Sequence, residues 1–144
     1  MAERGRRGRV RPALVCVLLL AATAGCKGEF KRVPVSGTVT LDGKPLNAGV
    51  IHFYPDTSKG NNHRVDCLSP VRNGKFNLLT TAVKDSESGD GAPVGWYKVY
   101  LQTDLPGFDA KIDPRFTDPA RTPVEVEVVE KPEPGRYKIE FTSK

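Results

Sequence analysis

Cysteine is scarce in this chain: Cys16, Cys26 and Cys67 are the only three among 144 residues. Cys16 lies inside an apolar run and Cys26 closes it, so the sequence beyond them carries a single thiol. A domain exported with one thiol has no intramolecular disulfide to staple it and must rely on its core. Cys67, between Val65 and Leu68, reads as a buried strand residue. His63, four positions earlier, could share a metal with it, but two candidate ligands do not make a site. Histidine is equally sparse, with His52 and His63 alone and neither beside an acid or nucleophile that would engage it. The G-x-S-x-G, H-E-x-x-H, P-loop and C-x-x-C patterns are all missing. The carboxylates form no recognisable pair. The expectation is a non-catalytic protein without cofactor or metal. Helix-forming sequence is also wanting: beyond residue 25 there is no methionine, and there are 11 Pro and 11 Gly.

The formal charge of +5 suggests a nucleic-acid partner until it is located. Residues 1–25 hold five of the 22 bases (Arg4, Arg6, Arg7, Arg9, Arg11) and one of the 17 acids, Glu3. The rest of the chain therefore has 17 bases against 16 acids, a net of +1. Those bases are scattered singly, and phosphate binding needs them clustered. Nucleic acid is not expected as a partner.

The arginines precede a 12-residue run, Ala13 to Ala24, of which 11 members are apolar. As a helix it would span about 18 Å, well short of the ~30 Å hydrocarbon core. This is the pattern of a cleaved secretory signal rather than of a permanent span. The Arg6-Arg7 pair lacks the residues that follow in a twin-arginine signal. Thr23-Ala24-Gly25-Cys26 resembles the lipobox of bacterial lipoproteins, with Thr23 in place of the usual aliphatic residue. That resemblance implies a signal peptide over 1–25, a diacylglyceryl thioether on Cys26 with further palmitate-type acylation, and a lipidated tether over 26–32. The alternative is an incidental Cys26 and an ordinary signal-peptidase cut nearby. The implied partner is the membrane, reached through the anchor. Lys27 after the cysteine favours the outer membrane or cell surface over inner-membrane retention.

Alternation with period two starts after Lys31 and recurs to the C-terminus. Val33, Val35, Val39 and Leu41 share one face, with Pro34, Ser36, Thr38 and Thr40 on the other. Asp42-Gly43-Lys44-Pro45 is a turn. Ile51 and Phe53 then alternate with His52 and Tyr54, followed by a polar loop and a weaker strand over 65–68. Asn73-Gly74 is the strongest hairpin signal, leading to Phe76 and Leu78. Two segments, Gly95–Leu101 and Gly135–Phe141, repeat the pattern G-x-Y-K-[V/I]-x-[L/F]. Between them lie a Pro-rich loop, 102–123, and a strand with Val124, Val126 and Val128 inward. These seven runs predict a seven-stranded antiparallel β-sandwich over 33–144.

The segments Val35-Ser36-Gly37-Thr38-Val39-Thr40-Leu41-Asp42-Gly43-Lys44-Pro45-Leu46, Phe53-Tyr54-Pro55, Gly74-Lys75-Phe76, Gly89–Gly95 and Tyr97-Lys98-Val99 resemble small bacterial lipoproteins with a carboxypeptidase regulatory-like domain. That domain is similar to transthyretin and other immunoglobulin-like sandwiches. The resemblance covers residues 33–142 and departs at 65–71, around Cys67 and Pro70-Val71. It implies a surface-anchored, non-catalytic β-sandwich and brings no catalytic residues with it.

Two features offer ligand sites. Asp85–Gly91 carries oxygen donors of the kind calcium takes, without the closing Glu of an EF-hand loop, and reads rather as a turn. Trp96 and Tyr100 fall on the face opposite Tyr97, Val99 and Leu101, with Lys98 between them. Exposed flat rings there would suit a sugar or a protein partner; the alternative is that loop 102–123 folds over them. The function read from the sequence is a membrane-anchored binding or structural module of the cell envelope. A carbohydrate-binding or adhesive module using Trp96 and Tyr100 is the alternative, and the candidate partners are an envelope protein or polysaccharide.

Overall fold

The computed structural model describes residues 30–84 and 87–144. The signal peptide expected over 1–25, Cys26 and most of the tether expected over 26–32 lie outside these residues, as do Asp85 and Ser86 of the candidate calcium loop. The described chain is all-β. Its strands are β1 (Arg32–Val33), β2 (Ser36–Leu41), β3 (Lys44–Pro45), β4 (Val50–Pro55), β5 (Val65–Pro70), β6 (Lys75–Asn77), β7 (Leu79–Ala82), β8 (Gly89–Asp90), β9 (Ala92–Pro93), β10 (Gly95–Gln102), β11 (Glu125–Val128) and β12 (Lys138–Phe141).

The larger sheet has six strands in the order β11-β10-β4-β5-β7-β8, all antiparallel. In the smaller sheet β2 is flanked by β12 on one side and by β3 and β6 on the other. A two-stranded pair, β1 with β9, completes the set.

Twelve segments replace the seven expected runs for a physical reason. The run over 33–41 is interrupted by Pro34 and Val35, because β1 pairs with β9 whereas β2 belongs to the smaller sheet. The run over 75–80 breaks at the buried Leu78, where the chain leaves β2 and joins β5 as β7. Leu78 N–H donates to the Val35 carbonyl at that corner, 2.9 Å away. The two-residue strands β3, β8 and β9 fall within turn sequences whose alternation is too short to read.

The expectation of antiparallel pairing throughout is corrected at one place: β12 runs parallel to β2, with Ile139 opposite Val39. Periodicity carries no strand direction. A parallel pair needs a long connection, and nearly the whole domain lies between these two strands.

Residues of both sheets meet in one hydrophobic cluster. Ile51, Phe53, Val99 and Leu101 of the larger sheet and Val39, Phe76, Ile139 and Phe141 of the smaller are all buried in it. Phe53 spans the layers, its ring centroid 5.7 Å from that of Phe76. Such side chains each contribute roughly 1.5–3 kcal/mol on burial. Both repeated tyrosines are buried and tied to backbone: Tyr97 donates to the Pro93 carbonyl at 2.7 Å, and Tyr137 accepts from Val129 N–H at 3.3 Å.

Two hairpin turns share one geometry. Asp42-Gly43 has φ 50° and 78°, and Asn73-Gly74 has 51° and 68°, the pair of positive φ values that matches strand twist in a two-residue loop. Gly74 is held between β3 and β6, donating to the Leu46 carbonyl at 2.7 Å and accepting from Val39 N–H at 2.8 Å.

Candidate functional site

The core takes the odd-numbered residues of β4 and β10, which leaves the even ones on the outer face of the larger sheet. Antiparallel register then decides neighbours: Tyr100 lies opposite His52, Lys98 opposite Tyr54 and Glu125, and Trp96 opposite Glu127. The outer face thus gathers aromatic, basic and acidic side chains from segments far apart in sequence.

His52 is the most enclosed of them, at 7% exposure despite its outward position. Its Nδ1 is 3.2 Å from Asp66 Oδ1 and its Nε2 is 3.1 Å from Gln102 Oε1. Tyr100 stacks on the ring, with centroids 4.7 Å apart and planes 11° from parallel. Burial disfavours a charged imidazole, yet hydrogen bonds to Asp66 and Gln102 and the Asp66 charge outweigh it, so its pKa rises above 6.5. The imidazolium alone donates from both nitrogens at once. The consequence for Asp66 is positional: one oxygen is fixed by His52, while the side chain stays 44% exposed.

Trp96 and Tyr100 lie on this face with Lys98 between them, as their alternation requires. At about 3.3 Å per residue, four positions separate their Cα atoms by about 13 Å. Each ring already has a neighbour. Lys59 Nζ sits 4.1 Å above the centre of Trp96 and also pairs with Glu125. The loop after β10 flanks this row without burying it: Thr117 lines a 280 Å³ pocket with Tyr100, and Pro119 and Ala120 lie alongside Lys98. Of the loop's two aromatics, Phe116 turns into the core against Phe141, with ring centroids 5.3 Å apart, and Phe108 packs against the core partly buried.

The residue that stands free is Tyr54, which the sequence reading placed outward but did not single out. It is 51% exposed and forms a wall common to two grooves. One, of 780 Å³, is lined by Tyr54, Thr57, Asn62, His63, Arg64, Asp66, Thr81 and Val83 among others. The other, of 340 Å³, is lined by Tyr54, Asp56, Ser58, Lys98, Pro119 and Ala120 among others. Asp56 is fixed by accepting from Ser58 N–H at 3.0 Å and Ser58 Oγ–H at 2.6 Å, and the Ser58 hydroxyl holds its carboxyl below the usual range. The Phe53-Tyr54-Pro55 segment does not by itself mark Tyr54 as exposed; that follows from which residues fall beside it across the sheet.

The two candidate metal ligands are not brought together. Cys67 is fully buried in the core, its Sγ 3.4 Å from Thr80 Oγ1, while His63 lines the large groove with its ring edge-on to Phe30. Burial pushes the Cys67 thiol up to about 11. Among the described residues no group of three or more His, Cys, Asp or Glu is arranged to hold a metal ion. Among the same residues no helix is long and apolar enough to cross a membrane.

A separate cavity of 600 Å³ lies at one end of the sheets, between the β2–β3 turn and residues 107–111, lined by Asp42, Lys44, Leu46, Phe108 and Lys111 among others. In comparisons with known proteins, no family model, no curated protein and no solved structure matches the chain.

Proposed function

We propose that this chain is a non-catalytic binding module of a bacterial cell envelope, carried on an immunoglobulin- or transthyretin-like β-sandwich of the carboxypeptidase regulatory-like kind. It is held to the membrane by lipid on Cys26 after removal of residues 1–25. The outer face of the larger sheet is its working surface. One observation carries this: a buried histidine with both nitrogens engaged fixes Asp66 beside the half-exposed Tyr54, at the junction of two grooves. A polar group held in place beside an exposed aromatic wall is what recognition needs. His52, held by Asp66 and Gln102, and Cys67, fully buried, are meanwhile engaged inside the protein rather than presented to a ligand.

The anchor rests on the basic segment, the short apolar run and the lipobox-like Thr23-Ala24-Gly25-Cys26. Two or three acyl chains give firm anchoring where one gives marginal binding. Expression with radiolabelled palmitate tests it. Wild-type protein takes up label and sediments with membranes, and Cys26→Ser protein does neither. A Cys26→Ser protein that still carries label and partitions with membranes overturns the anchor.

A further inference from the structure

We infer that the Tyr54 ridge binds an uncharged polysaccharide. This rests on the outer face being a binding surface and names its ligand; the carbohydrate alternative raised for Trp96 and Tyr100 is thereby centred on Tyr54.

A sugar ring presents a C–H face and a rim of hydroxyls that both donate and accept. Its receptor needs a flat amphipathic ring and fixed groups of both kinds. Tyr54 is the exposed aromatic on this face, at 51%, whereas Trp96 is capped by Lys59 and Tyr100 by His52. Around Tyr54 the large groove supplies acceptors in Asp66, Thr57 and Thr81 and donors in Arg64 and Asn62. Asp66 is set in place by His52 at 3.2 Å, so its carboxylate is ordered before a ligand arrives, which reduces the entropic cost of binding.

Size and charge narrow the class. The 780 Å³ groove is of the order of small-ligand sites, about 300–1,000 Å³. A second groove of 340 Å³ opens on the other side of Tyr54, so a ligand crossing the ridge continues into it. That favours a polymer over a single sugar. Each groove is lined by one acid and one strong base, Asp66 and Arg64 in the larger and Asp56 and Lys98 in the smaller. Neither therefore offers a field of one sign to a uronate or a phosphorylated chain.

The test is affinity electrophoresis of the full-length protein in non-ionic detergent, through gels containing laminarin, dextran, mannan or alginate. At least one of the three uncharged polymers is expected to retard the protein, with alginate retarding it less. Tyr54→Ala weakens that retardation at least tenfold and Asp66→Asn at least threefold, while Tyr54→Phe, which keeps the ring, stays within twofold of wild type. A single cooperative melting transition shows that each variant folds. Cys26→Ser protein binds as wild type does, so loss of the anchor and loss of saccharide binding are read separately. Retardation by none of the uncharged polymers, stronger retardation by alginate, or retardation indifferent to Tyr54→Ala each overturns the inference.

Discussion

The imidazole of His52 and the phenol of Tyr100 lie face to face on the outer side of the larger sheet, 4.7 Å between centroids and 11° from parallel. They are direct cross-strand partners, an arrangement in which aromatic pairs stabilise a sheet. The stack closes one side of the imidazole while Asp66 and Gln102 take its nitrogens. A surface histidine is thereby converted into an interior one.

Its titration has a definite sign. The folded pKa lies above the unfolded value of 6.5: burial opposes this, but hydrogen bonds to Asp66 and Gln102 and the Asp66 charge prevail. The stabilisation is therefore fully present below the unfolded pKa and lost as pH rises through the folded one. Urea unfolding followed across that window should show a falling midpoint, and Asp66→Asn should flatten the fall.

The thiol of Cys67 is fully buried, with its pKa raised to about 11. Under the proposed removal of residues 1–25 and acylation of Cys26, the native protein should show no titratable thiol to an aromatic disulfide reagent near pH 8. The same protein in denaturant should show one.

Phe53 is fully buried, between Phe76 at 5.7 Å and Tyr97 at 6.0 Å. Phe53→Ala removes contacts to both layers and should cost about 3–5 kcal/mol by denaturant unfolding.

Gly74 combines a φ of 68° with a site where a Cβ would come 2.7 Å from Pro45 Cβ. Gly74→Ala should destabilise by more than ~1 kcal/mol. Ala at Gly43, with φ 78° and nothing within 4 Å of its Cβ position, should cost less because only the backbone strain remains.

Alternation made the inward residues legible. Val33, Val35 and Val39, Ile51 and Phe53, and Tyr97, Val99 and Leu101 are all buried, because one period-two pattern suffices to say which side a strand residue takes. Asn73-Gly74 was legible as a turn because few residue pairs accept two positive φ values. What happens on the outer face was not. Whether an outward side chain is exposed depends on its cross-strand neighbours, and His52 is covered by Tyr100 and Gln102, about fifty positions away. Tyr54, with the same alternation, stays open. The sheet switch at Leu78 and the parallel partnership of β2 with β12 were equally hidden, since neither changes the periodicity of the residues involved.

The working surface assigned to the outer face of the larger sheet is tested most directly by site-specific crosslinking in the cell. A photo-crosslinking phenylalanine analogue replaces Tyr54 in one strain and Thr38, exposed on the outer side of the smaller sheet, in another. Position 54 is predicted to yield high-mass adducts with an envelope component on irradiation, and position 38 to yield few or none. Adducts from position 38 that equal or exceed those from position 54, or none from position 54, would contradict a binding module working through this face.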